Sequence, residues 1–401
     1  MIKNKKISII GGSGHVGLPL GVVLAEVGWS VGLVDINQNN NILVNKGIFP
    51  FLEYGDGGDS ANETLKKVVS ANRLFATDDL AKVAESEIVF FVTGTLLDEC
   101  LNPRINDVVK VVEEYLPYLN NNQLIILRST VCLGVVEIIE ALLTKRLGKH
   151  KLAYCPERVA QGHGISEIKE LPQIIAATSF EAEQEAVKLF SSITSMTIVL
   201  KPDEAELAKL MTNTWRYIEF AIANQFYVIA ESKQLDFYKI YDTIKTGYPR
   251  AKHFASPGLT GGPCLFKDTM QISAFRDRFF PLVHAAILVN EELPVFLVKQ
   301  MEDKLISLKD KKIAILGMSF KANNDDKRGS LSYKIKKTLE AKSAQVLLSD
   351  VFDDSLLAYD DAISKADGVI LGVPHKEYIN LKVNIPFVDC WGVWRSREKQ
   401  E

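Results

Sequence analysis

"KKISIIGGSGHVGLPLGVVLAEVGWSVGLVDI", residues 5–36, decides the fold of the first part of the chain. An apolar run of strand length stops at Gly11, helical apolar spacing begins near Gly17, and a second strand-like run ends at Asp35. That order is the grammar of a β-α-β unit. Gly12, Gly14 and Gly17 complete G-x-G-x-x-G, with His15 and Val16 between the last two. The glycines permit a tight turn, close approach of a pyrophosphate and packing of helix on strand, while the helix N-terminus favours phosphate charge. Asp35 stands where a ribose-binding acid is expected, and its charge repels a 2′-phosphate. The unit is therefore predicted to take NAD in preference to NADP.

The same grammar returns near the C-terminus: "KKIAILGMSF" matches "KKISIIGGSG", "AQVLLSD" matches "SVGLVDI", and "KADGVILGVPH" matches "ESEIVFFVTGT". Gly317 stands there without the second and third glycines, so this half is predicted to keep the fold and lose the dinucleotide site. Between the copies, "KPDEAELAKLMTNTWRYIEFAIANQFYVIAESKQ" has Pro202 in a first helical turn, acids just after it, and helical apolar spacing for about eight turns. The expected fold class is α/β, with two Rossmann-like doubly wound domains joined by a helical central domain that contains one long helix. The expected boundaries are residues 1–200, 201–300 and 301–401. The apolar stripe of the long helix needs a cover, and a second subunit supplies one, so a homodimer is expected.

A chain of 401 residues with 47% hydrophobic content has ample core, and a net charge of -3 gives no global attraction to nucleic acid or anionic membrane. Neither is expected as a partner. Cys100, Cys132, Cys155, Cys264 and Cys390 are odd in number, widely spaced and without a CxxC pair, which argues against a disulfide framework and a structural zinc site. The basic opening breaks at glycine too early for a signal sequence, and no later stretch is expected to span a bilayer. A cytoplasmic location is the expectation.

One cysteine differs from the others. "SPGLTGGPCLFKDT", residues 256–269, holds Cys264 in a Gly/Pro-rich loop just ahead of Lys267 and Asp268. A flexible loop beside a cation favours a thiolate nucleophile. From these residues alone, a loop cysteine of no role stands equally open.

With the Gly-rich turn, "RSTV", "CPERVAQG", "AELAKLMTNTWR", "GGPCLFKD" and "GMSFKANNDDKRGS" in this order, the sequence resembles the UDP-glucose/GDP-mannose dehydrogenase family over nearly its whole length. The resemblance implies oxidation of the carbon-six alcohol of a nucleotide sugar to a carboxylate with two NAD per turnover. It assigns Cys264 as the nucleophile that captures the aldehyde as a thiohemiacetal and later carries a thioester. It implies that Lys209 and Asn213, four apart on one helix face, stabilise developing negative charge and hold a water. Asp268 would serve in proton removal, Glu157 in acid/base hydrolysis, and Thr130 in positioning water. Thr93, Thr130 and Arg328 join Gly12, Gly14, His15, Val16, Gly17 and Asp35 on the cofactor side. Glu157, Arg158, Lys209, Asn213, Arg250, Gly261, Lys267, Phe320 and Lys321 are the candidates for the UDP-sugar, with Gly261 and Gly262 letting backbone approach the sugar. No metal is expected.

Three positions depart from the family pattern. Gly94 stands where many members have proline, Gln161 where many have glutamate, and the segment around Trp391 replaces a Gly-Arg-Asn type ending. By resemblance, Arg158 after Glu157 favours a UDP-N-acetylhexosamine, with UDP-glucose the alternative. A two-electron hydroxyacid dehydrogenase and a non-catalytic nucleotide-binding paralogue are the competing classes. The first needs no cysteine, and the second needs none of the Cys264, Lys209, Asn213 and Asp268 set.

Overall fold

A computed structural model describes residues 5–94, 98, 104–273 and 280–394. Two compact units emerge: the first runs to Met211 and takes back a short stretch from Met270, and the second comprises Thr212–Thr269 and the chain from Phe280 onward.

The first unit is built on eight strands, β1 Lys6–Ile10, β2 Ser30–Val34, β3 Leu74–Thr77, β4 Ile88–Phe91, β5 Leu124–Leu127, β6 Lys151–Tyr154, β7 Gln173–Ala177 and β8 Thr197–Leu200. Their order in the sheet is β3-β2-β1-β4-β5-β6-β7-β8. All neighbours are parallel except β6 and β7, where Ala153 faces Ala177 in an antiparallel register. The inner strands "IVFF" and "LIIL" are apolar throughout because helices cover both faces. Phe90 and Ile126 pack on one side with Leu18 and Val22, whereas Val89, Phe91 and Ile125 pack on the other with Val112, Ile139 and Leu143. Strand order reverses between β1 and β4, and the Gly-rich turn leaves β1 at that point, where an open α/β sheet binds its ligand.

The second unit contains a four-stranded parallel sheet, β9 Lys312–Leu316, β10 Gln345–Ser349, β11 Gly368–Leu371 and β12 Phe387–Val388, in the order β10-β9-β11-β12. The pairing of β9 with β10 repeats that of β1 with β2, as the internal repeat predicts. Asp350, at the place of Asp35, is buried and accepts the Met318 and Ser319 backbone N–H groups at 2.6 and 2.9 Å, so this acid is committed to the protein.

The long helix is Pro202–Ser232, with Asp203 and Glu204 in its first turn as predicted. Its Glu206 accepts the Gly134 and Val136 N–H groups at 2.7 and 2.8 Å and so caps the Val135–Leu147 helix of the first unit. One expectation needs correction. The helix Pro281–Leu305 is long and apolar enough to cross a membrane by length and composition. The reason is core packing: its Leu293, Leu297, Val298 and Met301 sit in one cluster with Ile313, Ile315, Ile335 and Leu339.

Candidate active site

At the end of β1, Gly11 N–H donates to Val34 C=O at 2.8 Å and closes the turn. A Cβ on Gly12 would lie 2.5 Å from Ile9 O, and one on Gly17 would lie 2.6 Å from Gly12 Cα, so both are glycine because protein fills the space. Gly14 differs, since an added Cβ meets only Gly11 O, at 3.7 Å, and the space beside it is open to a ligand. Val16 precedes the Gly17–Glu26 helix as its N-cap. Asp35 accepts the Ser13 and Asn37 N–H groups at 3.0 and 2.9 Å, which fixes its carboxylate at the turn. The His15 ring packs against Phe51 at 3.9 Å between centroids, and the Gln161 amide reaches the His15 ring nitrogens at 3.1 and 3.2 Å. Thr93, after β4, lies next to Gly11 through its Cα and methyl, and its buried hydroxyl has no hydrogen-bond partner among the described residues. An open approach at Gly14, an orphaned hydroxyl at Thr93 and a fixed acid at Asp35 fit a dinucleotide. Thr130 is half-buried just beyond β5, and Gly94 is exposed.

Glu157 has three donors. Arg158 N–H and Val159 N–H reach one oxygen at 2.7 and 3.0 Å, and the Arg128 guanidinium pairs with the other. Arg128 is buried and also donates to Cys155 C=O at 3.1 Å and Gln173 Oε1 at 2.9 Å. The Arg158 side chain donates to Pro172 C=O, and burial depresses the pKa of its guanidinium. Lys209 is buried on the long helix.

In the second unit, Asn213 and Asp268 are both buried, and the Asn213 amide donates to Asp268 Oδ2 at 2.6 Å. Lys267 Nζ lies 3.6 Å from the other oxygen of Asp268. Cys264 is exposed and immediately precedes the helix Leu265–Ser273. Its loop is fastened to the "FKANNDDKRGS" segment, because Gly262 N–H donates to Gly329 C=O at 2.9 Å. The glycines here admit other parts of the protein. A Cβ on Gly261 would lie 2.5 Å from Gly329 O, and one on Gly262, at φ +104°, would lie 2.5 Å from the Phe320 ring. A cleft of about 500 Å³ borders this clasp, lined among others by Thr260, Gly261, Gly329, Tyr333 and Lys337. Arg328 binds Asp326 through Nε and a terminal nitrogen at 3.0 and 2.6 Å; that bond, and to a smaller degree the charge of Cys264, hold its pKa up. Lys321 Nζ lies 5.9 Å from the Phe320 ring centre. Arg250 is exposed and engages Tyr248, with a bond of 3.1 Å to the phenol oxygen.

The other cysteines have different surroundings. Cys155 and Cys390 are buried, and burial pushes the Cys155 thiol up to about 12 and Cys390 well above its ordinary value. Cys132 is half-buried, while Cys100 lies outside the described residues. Trp391, the C-terminal departure, covers the base of the thiol loop: a Cβ on Gly258 would meet its ring at 2.1 Å. Sequence reasoning passed over Arg128, although it opens "RSTV", and Asp326, although it stands two residues before Arg328. In both cases the signal was a charge of opposite sign to an assigned neighbour.

Comparison with known proteins gives three consecutive matches to one family, UDP-glucose/GDP-mannose dehydrogenase. Its NAD binding domain matches residues 5–194, its central domain 203–292 and its UDP binding domain 314–395. The chain is 27% identical over 388 residues to UDP-N-acetyl-D-mannosamine dehydrogenase of Pyrococcus horikoshii, covering 93% of this chain and 90% of that protein. It is 26% identical over 420 residues to NDP-N-acetyl-D-galactosaminuronic acid dehydrogenase of Ralstonia solanacearum, covering 98% and 97%. Its fold is similar to that of a UDP-glucose dehydrogenase from Pyrobaculum islandicum, with a TM-score of 0.88 at 24% identity over 99% and 96% of the two chains. A dinucleotide-shaped turn in the first unit and an exposed thiol clasped by the second, matched end to end by one family, mean that the chain belongs to the UDP-glucose/GDP-mannose dehydrogenase family and is an NAD-dependent nucleotide-sugar dehydrogenase.

Proposed function

We propose that the protein oxidises the carbon-six alcohol of a UDP-N-acetylhexosamine to the uronic acid through a covalent intermediate on Cys264. The observation that carries this is the setting of that thiol: exposed, next to a helix N-terminus, within the electrostatic reach of Arg328 and clasped at Gly262. A helix N-terminus and a guanidinium both favour the anionic, nucleophilic sulfur. NAD would be held by the Gly12–Gly17 turn with Asp35 and Thr93, and one molecule would accept the hydride of each oxidation, a second NAD replacing the first NADH.

In the first step the alcohol gives up its hydroxyl proton and a hydride from carbon, with Asp268 and Lys267 serving the proton. The Cys264 sulfur then bonds to the aldehyde carbon, and its oxygen becomes the hydroxyl of a thiohemiacetal. Loss of the remaining hydride and that hydroxyl proton leaves a thioester. Water, activated by Glu157 and positioned by Thr130, breaks the carbon–sulfur bond, releasing the carboxylate and restoring the thiol. Lys209 and Asn213 stabilise the oxyanion that precedes each change at carbon. Arg158, Arg250, Gly261, Lys267, Phe320 and Lys321 address the UDP-sugar, and Arg328 the cofactor side.

The acetamido sugar is favoured by Arg158 following Glu157 and by the relative named for N-acetyl-D-mannosamine. The product suits surface polysaccharide synthesis. A pocket shaped for an acetamido group leaves polar groups unpaired around a bare hydroxyl, at a cost of about 1–3 kcal/mol per contact. The test is kcat/KM for UDP-N-acetylglucosamine, UDP-N-acetylmannosamine and UDP-glucose, with NADH counted per product. UDP-glucose equal to or better than both others would replace the acetamido reading, and Cys264→Ser forming two NADH per sugar would remove the covalent step.

A homodimer through the long helix is part of the proposal. Trp215, Ile222, Phe226 and Ile229 of that helix expose 60, 45, 47 and 54% of their surface along one side, a stripe that a second copy would cover. Light scattering on Phe226→Glu should give the monomer mass.

A further inference from the structure

The second Rossmann-like half carries a buried polar network that the proposed chemistry does not use. His375, four residues beyond β11, is fully buried. Its Nδ1 accepts the Asn323 backbone N–H at 2.9 Å, so the ring proton resides on Nε2. That nitrogen faces Asp350 Oδ2 at 3.3 Å and Ser319 Oγ at 3.2 Å. Asp350 is itself anchored by the Met318 and Ser319 N–H groups, and the Ser319 hydroxyl donates onward to Lys321 C=O at 3.0 Å. The Phe352 and Tyr378 rings wall the imidazole at 5.0 and 5.4 Å.

These bonds all grip one segment. Lys376 N–H, the neighbour of His375, donates to Asn323 Oδ1 at 3.0 Å, and Asn323 sits at φ +53°, a conformation asparagine tolerates. The segment is folded back on itself by Phe320 N–H to Asp326 C=O at 2.9 Å and by Ser330 Oγ to Ser319 C=O at 2.9 Å. It carries Phe320, Lys321 and Arg328, and through Gly329 it holds the Cys264 loop. Sequence order hides this connection, because His375 lies on a different β-α step from the segment it holds.

We propose that His375 is a positioning residue: its two ring nitrogens pin residues 319–330, and that segment sets the placement of Lys321, Arg328 and the Cys264 loop. The substrate-affinity arm of the test rests on the UDP-sugar reading above, whereas the pin itself does not.

The test compares three variants in the full chain. His375→Asn keeps an acceptor where Nδ1 stands, His375→Gln keeps a donor near Nε2, and His375→Leu keeps neither. Hydrogen exchange of residues 319–330 should accelerate at least tenfold in His375→Leu and return most of the way to wild type in His375→Asn, where Asn323 N–H regains its acceptor. UDP affinity and KM for the UDP-sugar should worsen about tenfold in His375→Leu, kcat should fall, and NAD affinity should stay unchanged, a split that general destabilisation does not produce. Wild-type exchange in 319–330 with wild-type KM and kcat in His375→Leu would overturn the proposal. If His375→Leu does not fold, His375→Gln keeps a donor near Nε2 but removes the Nδ1 acceptor of Asn323 N–H; it must raise exchange in the same segment, and failure to do so counts equally against the pin. Accelerated exchange in a protein whose wild type does not bind UDP would sustain the pin and refute the UDP-sugar reading.

Discussion

Arg128→Met should be among the most damaging single changes in the first unit. Arg128 is 1% exposed and Glu157 12% exposed, so the pair is shielded from water. Methionine fills much of the volume of the stem but takes the Arg128 donor away from three acceptors, Glu157 Oε2, Cys155 C=O and Gln173 Oε1, and leaves Glu157 only its two backbone N–H donors. Removing one partner of a buried ion pair costs about 3–5 kcal/mol, because the remaining charge stays buried without compensation. At about 1.4 kcal/mol per factor of ten, local opening of β5 and β6 should become roughly 10²- to 10³-fold more frequent. Hydrogen exchange of the Leu124–Leu127 and Lys151–Tyr154 amides reads this directly and avoids assuming that a chain of two compact units unfolds in one step. Arg128→Met combined with Glu157→Gln should recover part of the loss, since the stranded charge is gone. A cost below about 1 kcal/mol, or a double variant no better than the single, would refute the view that Arg128 neutralises Glu157.

Further expectations follow from other parts of the molecule. Asp35→Ala should weaken NAD binding by roughly tenfold and narrow its advantage over NADP, as read by titration with both, because one ribose contact and one repulsive charge leave together. Gly262→Ala places a methyl group 2.5 Å from the Phe320 ring at φ +104°, so kcat should fall while calorimetry finds NAD binding unchanged. Glu206 tests the sign of a buried charge. Burial raises its pKa, outweighing the bonds it accepts from Val136 and Gly134, so its contribution to stability is full below the ordinary carboxylate range and is lost as pH rises through the raised value. Glu206→Gln should therefore gain stability relative to wild type between about pH 4 and pH 7 in urea unfolding; a relative loss over that range would reverse the assignment.

Local pattern carried the β-α-β units, the internal repeat and the long helix, because strand and helix periods and the Gly-rich turn are all written within thirty residues of one another. The apolar length of Pro281–Leu305 was not legible as core, since the cluster that covers one side of it comes from β9 and from the Ser332–Ala341 helix. The site residues were legible by type, but their holders were not. Arg128 meets Glu157 across neighbouring strands, and His375 meets Asn323 from another step of the fold. Gly261 and Gly262 were read as room for a sugar, whereas the space beside each is taken by Gly329 and Phe320. Contacts between distant segments leave no periodic trace, so the partner of a motif is harder to read than the motif.

The bond from Gly262 N–H to Gly329 C=O also bears on how the enzyme is made. A chain leaves the ribosome from its N-terminus, and domains fold as they emerge. The first unit, with its dinucleotide turn, has most of its chain available early, and Gly258 of the Cys264 loop can bond Asn224 at once, but Gly262 gains its partner only when Gly329 has been synthesised. A nascent chain, or one truncated before Gly329, would carry a cofactor fold and a Cys264 loop without its Gly262 clasp. The order of translation thus delays the clasp beside Cys264 until the second Rossmann-like half is being made.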